Sequence, residues 1–216
     1  MKKVSTISGV AAPLPLANVD TDVIIRIEKL AQCPREELGS WGFAPLRFLP
    51  DGSENPGFVL NQAGWRGAPI LVAGPNFGCG SSREHAVWAL QGMGIGCVIA
   101  PSFGDIFRSN CFQNGLLPVQ LPADEAQQLS AYLHDHHQRG EAARITVDLA
   151  GQTIQWPGGE DFRFAIEPRR RTALLHGLDE IGVTRTHEAQ IDAWQAVDRK
   201  RRPWIWDMGN ASCGGR

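Results

Sequence analysis

Residues 69–100 read PILVAGPNFGCGSSREHAVWALQGMGIGCVIA, and their punctuation decides the fold. Pro69-Ile70-Leu71-Val72-Ala73 is a short apolar run, compatible with a buried strand. Gly74 to Gly80 is a glycine-rich turn. Ser81 to about Met93 has helical composition, is entered through a serine pair and is followed by Gly94 and Gly96. Cys97-Val98-Ile99-Ala100 is a second apolar strand. Strand, helix and strand in that order form a βαβ unit, so the two strands are expected parallel with a right-handed crossover.

The pattern continues downstream. Phe103 to Gln113 reads as a helix, Gly115 suits its C-terminal stop, and Leu116 to Val119 is another strand. Asp124 to His137 is a polar helix after Pro122. Arg144–Leu149 and Gln152–Trp156 alternate in polarity around Ala150-Gly151, which predicts a hairpin. Phe162 to Ile166 adds a strand, and Thr186 to Val197 a final helix. Upstream, the N-terminus reads as a short first strand and a turn. Residues 34–68 carry Gly42, Pro45, Pro50, Asp51-Gly52, Asn55-Pro56-Gly57 and Gly64, the chemistry of a long irregular connection. Long ordered connections are often functional. The expected organisation is an α/β domain over residues 1–197, with a long loop over about 26–68, which the family resemblance described below implies is a substrate loop, and a tail over 198–216.

Composition excludes several classes. The chain has 216 residues, net charge −2 and 20% charged residues, which argues against general nucleic-acid binding and against disorder. No run approaches the roughly 20 apolar residues of a membrane helix. The apolar stretch after Lys2-Lys3 is broken by Ser5, Thr6, Ser8, Gly9, Pro13 and Pro15, so it makes a poor signal peptide. The expected location is the cytoplasm. The five cysteines, at 33, 79, 97, 111 and 213, include no C-x-x-C spacing. They offer neither a disulfide framework nor a metal or iron–sulfur cradle within this chain.

The stretch with chemical potential is Gly74 to Ala86. A helix N-terminus attracts anions, because its first N–H groups lack partners and the helix dipole is positive there. Arg83 adds a planar fork suited to carboxylate or phosphate. The phosphate motifs are absent: a P-loop needs a lysine here, and Arg83 replaces the third glycine of a dinucleotide loop. The hydrolase elbow G-x-S-x-G is missing too. A small carboxylate survives this elimination best. Ser81-Ser82-Arg83-Glu84 also fits a capping box, which needs no function. The two readings are compatible, since an alkoxide is least costly at such a terminus. A serine hydroxyl, like water, holds its proton far above neutral pH. A helix terminus contributes up to ~2 kcal/mol and one oxyanion donor ~3–4 kcal/mol. At about 1.4 kcal/mol per pH unit these lower the serine pKa by roughly four. A serine base therefore needs a Lewis acid from elsewhere, and the loop reads as half an active site.

Several segments carry a family resemblance. They are Asn18 to Ile25, Asn76 to Ala86, Val98 to Phe107, Asn114 to Val119 and Gly177 to Gly182, in that order. Together they resemble the swivel domain of the aconitase superfamily and, within it, the small-subunit family of bacterial 3-isopropylmalate dehydratases, also called isopropylmalate isomerases. The resemblance implies a swivelling β/β/α fold. It also implies a separate large subunit that carries a four-iron, four-sulfur cluster, with no cofactor held in this chain. The joint reaction would be the hydro-lyase isomerisation of 2-isopropylmalate through 2-isopropylmaleate to 3-isopropylmalate, in leucine biosynthesis. Carried over by position, Ser81 matches the serine base and Asp22 an active-site aspartate. Ser82 and Arg83 match carboxylate- and alkoxide-holding positions, and Arg35 a substrate-loop arginine. Asp22 read alone is equally a turn or cap aspartate, and Arg35 a solvated surface residue. The chain departs from the pattern at Arg26, where proline is common, and around Arg35, where threonines are absent. That loop discriminates substrate side groups, so another 2-hydroxy-dicarboxylate, such as a methylmalate or homoaconitate, stays open. So does a stand-alone carboxylate-binding module.

The remaining conspicuous residues read as structural. His85 fits a packed position, and Trp88, Phe103 and Phe107 fit the core. His134, His136 and His137 gather at a helix end, where positive charge suits the dipole. The basic runs at 169–171 and 199–202 suit solvated surface or subunit contact.

Overall fold

The structure, a computed structural model, describes residues 1–206. Cys213 and the last ten residues of the expected tail lie outside the described residues. The elements of the first part are strand β1 (Thr6–Leu14) and helices α1 (Thr21–Ile24), α2 (Ile27–Gln32) and α3 (Ala44–Arg47). Then come β2 (Ile70–Ala73), α4 (Glu84–Gly92), β3 (Cys97–Ala100), α5 (Asp105–Asn114), β4 (Leu117–Gln120) and α6 (Ala123–Gln138). Strands β5 (Arg144–Asp148), β6 (Thr153–Gln155) and β7 (Phe162–Arg163) lead to α7 (Pro168–His176).

The strands form one seven-stranded sheet in the order β4-β3-β2-β1-β5-β6-β7. β1 is its hinge line, parallel to β2 on one side and antiparallel to β5 on the other. The βαβ expectation is met: β2, β3 and β4 are parallel neighbours joined by α4 and α5. The hairpin β5–β6 is antiparallel, and β7 extends it. Parallel strands covered on both faces need apolar residues at every position. Accordingly Ile70, Leu71, Val72 and Ala73 are all buried. Strand alternation sends Leu71, Ala73 and Val98 into one core with Leu90 of α4 and Phe107 of α5. It sends Ile70, Val72 and Ile99 into a second core with Leu129 and Leu133 of α6 and Ile145 of β5. The C-terminal stop of α5 is Gly115, in the left-handed conformation at φ 78°.

Two expectations are corrected, and one helix was not foreseen. The central helix starts at Glu84, not Ser81. The connection over 34–68 is organised rather than irregular: it holds 3-10 helices at Arg35–Trp41 and Val59–Asn61 besides α3. It also buries Phe43, Phe58, Leu60 and Trp65. Buried Asn61 ties it together, its amide donating to the carbonyls of Arg47 at 2.7 Å and Asn55 at 2.8 Å. Lastly, α7 occupies a stretch whose arginine run masked its helical character.

The residues from Met1 to Gly177 form one compact unit, and a second begins at Leu178. Within the second are α8 (Glu180–Arg185), α9 (Glu188–Arg201) and α10 (Pro203–Trp206). The helix expected over 186–197 is α9, which runs on to Arg201, and the short helices α8 and α10 on either side of it were not expected. Asp198 is buried here, accepting from Arg202 Nε at 2.7 Å and from Trp206 Nε1 at 3.1 Å. No helix among the described residues is long and apolar enough to cross a membrane.

Candidate active site

The glycine-rich turn leaves the C-terminal end of β2, where ligands gather in open parallel sheets. It is held from two sides. Phe77 N–H donates to Ser102 O at 3.1 Å, and Gly104 N–H donates to Phe77 O at 2.9 Å. Asn76 N–H donates to Ser102 Oγ at 2.8 Å. On the other side Gly78 N–H donates to Val19 O at 2.7 Å, and Thr21 N–H to Cys79 O at 3.0 Å. Gly78 has φ 72°, and a Cβ there would collide with the Phe107 ring. Only glycine brings the turn this close to α5.

These bonds join the turn to the start of α1. Asp20 caps that helix by accepting from Val23 N–H at 2.7 Å. Thr21 is buried, and its hydroxyl donates to Ser81 O at 3.0 Å. Next to it Asp22 forms an ion pair with Arg83 Nη1. Residues sixty or so positions apart are thus brought together: Asp22 with Arg83, and Thr21 with Ser81. Ser81 and Ser82 are exposed. Arg83 is 14% exposed and Asp22 53%, so a nearly buried guanidinium is held by a carboxylate that faces solvent.

The capping box is not formed. Arg83 is the N-cap of α4, and no side chain caps that helix. Among the described residues neither serine hydroxyl has a hydrogen-bond partner. The serines stand one step outside the helix because Arg83 N–H turns back to Ser81 O at 2.8 Å. Helix amides and both hydroxyls are therefore left free at the same opening.

The Aconitase C-terminal domain family matches residues 1–124, and LeuD_N matches residues 135–168. The 3-isopropylmalate dehydratase small subunit of Azorhizobium caulinodans is 49% identical over 205 residues, covering 95% of this chain and 100% of that protein. That of Rhodospirillum centenum is 51% identical over 204 residues, covering 94% and 98%. The chain belongs to the 3-isopropylmalate dehydratase small-subunit family. A crystal structure of 3-isopropylmalate dehydratase (leuD) from Methanocaldococcus jannaschii has a similar fold. It superposes with TM-score 0.63 at 26% identity, covering 87% of this chain and 98% of that one.

A small subunit of this family implies a large one. Among the described residues no three His, Cys, Asp or Glu side chains converge to hold a metal. Burial pushes the Cys97 and Cys111 thiols up, so both stay protonated. The donor set at the opening consists of hydroxyls, amides and a guanidinium, which suits a substrate rather than a cluster.

Arg35 is not brought into contact with Ser81, Ser82, Arg83 or Asp22. Its guanidinium lies 4.4 Å from the Trp88 ring centroid, further along α4. His85 packs on the same ring at 4.6 Å, as expected of a structural histidine. His136 and His137 bond to Tyr132 O and Gln62 Oε1. Sequence reasoning overlooked Thr21 and Ser102. Both are small polar residues inside quoted motifs, and that was the available signal.

Proposed function

We propose that this chain, with a large subunit, isomerises 2-isopropylmalate to 3-isopropylmalate by dehydration to 2-isopropylmaleate and rehydration, as a hydro-lyase of leucine biosynthesis in the cytoplasm. The observation that carries the reading is the juxtaposition of two unbonded serine hydroxyls with the Asp22–Arg83 pair at the open start of α4.

Ser81 Oγ takes the proton from the carbon next to the hydroxyl-bearing one and returns a proton on rehydration. The Arg83 guanidinium, oriented by Asp22, binds a substrate carboxylate through its remaining N–H groups, and Ser82 donates a further hydrogen bond. Amides at the start of α4 lower the cost of the serine alkoxide. Arg35, held on Trp88, lies on the loop that meets the rest of the substrate. A four-iron, four-sulfur cluster in the large subunit supplies the Lewis acidity that a serine base requires. The serine's exposed position supports this division, since the reacting carbon must lie between the two chains.

The test is Ser81→Ala in the enzyme assembled with its large subunit. Turnover should fall by roughly a hundredfold or more, the scale of a lost acid–base group, with assembly and the cluster spectrum unchanged. Turnover close to that of the unmodified enzyme would falsify the role given to Ser81.

A further inference from the structure

We propose a second binding site, for a small molecule bearing a phosphate or carboxylate group, in the groove between the end of β4 and the segment after β7. The groove has a volume of about 590 Å³ and is lined by Pro101, Arg108, Gln120, Pro122, Arg163 and Phe164, among others. That volume lies in the range of small-molecule sites, roughly 300–1,000 Å³. β4 and β7 are opposite ends of the strand order, so the curl of the sheet creates the groove.

The charge points to the ligand. Arg108 and Arg163 both line the groove, and neither pairs with a carboxylate among the described residues. Arg108 is half-buried, and its Nε is shielded from solvent with no hydrogen-bond partner. The guanidinium of Arg108 lies 5.6 Å from the centre of the Phe112 ring. Arg163 is exposed on the facing wall. Between them opens the N-terminus of α6. Pro122 gives that helix no side-chain cap, and its first turn closes only with Ala126 N–H on Pro122 O. The amides of Ala123, Asp124 and Glu125 thus have no helical acceptor. The Asp124 and Glu125 side chains do not line the groove. Two unpaired forks and a helix terminus favour an oxyanion, and Pro101, Pro122 and Phe164 offer apolar walls to its carbon body.

The test uses the full-length chain labelled with nitrogen-15, titrated with inorganic phosphate and separately with succinate at constant ionic strength. Saturable amide shifts at Ala123, Asp124 and Arg163 are expected. Arg163→Gln, an exposed change that leaves the core intact, should weaken binding at least tenfold, and Arg108→Gln likewise. If Arg108→Gln fails to fold, Arg163→Glu takes its place and should abolish the shifts. Saturation by phosphate alone assigns a phosphoryl ligand, and by succinate alone a carboxylate ligand. No saturable shift with either anion would overturn the site, as would equal affinity in Arg163→Gln or shifts confined to residues 81–83. The outcome is independent of the reaction assigned to Ser81.

Discussion

Thr21→Val tests whether the serine pair is placed by the start of α1. Thr21 is 1% exposed and its hydroxyl donates to Ser81 O at 3.0 Å. Valine keeps the shape and removes one hydrogen bond to a neutral carbonyl, worth about 0.5–1.5 kcal/mol net. Ser81 is exposed, so its carbonyl regains water and no further penalty follows. For a unit of this size, melting should drop by about 2–4 °C per kcal/mol. The effect on catalysis should be larger. Arg83 N–H still donates to Ser81 O, so the turn survives, yet the hydroxyl loses its anchor. A displacement of about 1 Å can cost 10²-fold in rate. We expect kcat to fall between ten- and a hundredfold with little change in KM. The assay follows ultraviolet absorbance of the unsaturated intermediate in the assembled enzyme, alongside a melting curve and gel filtration. Asp148→Ala is the control, because it removes the 2.9 Å turn bond to Ala150 N–H far from the serines. It should lower stability comparably and leave kcat alone. A Thr21→Val enzyme that melts early but turns over within twofold of normal would refute the anchoring argument.

Arg83→Lys should reduce kcat/KM by roughly ten- to a hundredfold, mainly through KM, since an ammonium cannot hold Asp22 and a carboxylate with one planar fork; steady-state kinetics decide it. Gly78→Ala should cost about 2–5 kcal/mol, combining left-handed strain with overpacking against Phe107. A melting temperature within about 2 °C of normal would show that the turn can move. Burial, and then the nearby His134, hold His137 below its ordinary value of 6.5. The unfolded chain therefore binds the proton more readily, and stability is lost as pH falls from about 6.5 through the lowered value. Melting between about pH 7 and pH 5 should show that loss, and His137→Gln should lessen it.

Most of the fold was legible because strong local signals coincide with it. Ile70 to Ala73 and Cys97 to Ala100 are continuous apolar runs, and only a strand covered on both faces needs that pattern. Gly115 marked the end of α5 because a left-handed residue is needed there. The 34–68 connection was misread for the complementary reason. Its turn residues are real, but its buried aromatics, Phe43, Phe58 and Trp65, follow no helical or strand period. A segment that packs through 3-10 turns leaves no periodic trace.

The site was legible as a list of residues but not as a geometry. Ser81, Ser82 and Arg83 stand together in the sequence, yet a serine pair ahead of a helix suits a capping box and a reactive loop alike. The structure separates them through backbone bonds that no side-chain pattern encodes: Gly78 N–H to Val19 O, and Arg83 N–H to Ser81 O. These bonds move the helix start to Glu84 and leave both hydroxyls unspent. Asp22 shows the same ambiguity resolved differently. Its neighbour Asp20 takes the capping role, which frees Asp22 to hold Arg83. An aspartate doublet at a helix start can divide the labour in this way, one oxygen set stabilising the helix and the other orienting a cation. Asp20→Ala should then act chiefly on stability and Asp22→Asn chiefly on substrate affinity, a division that sequence position alone would not assign.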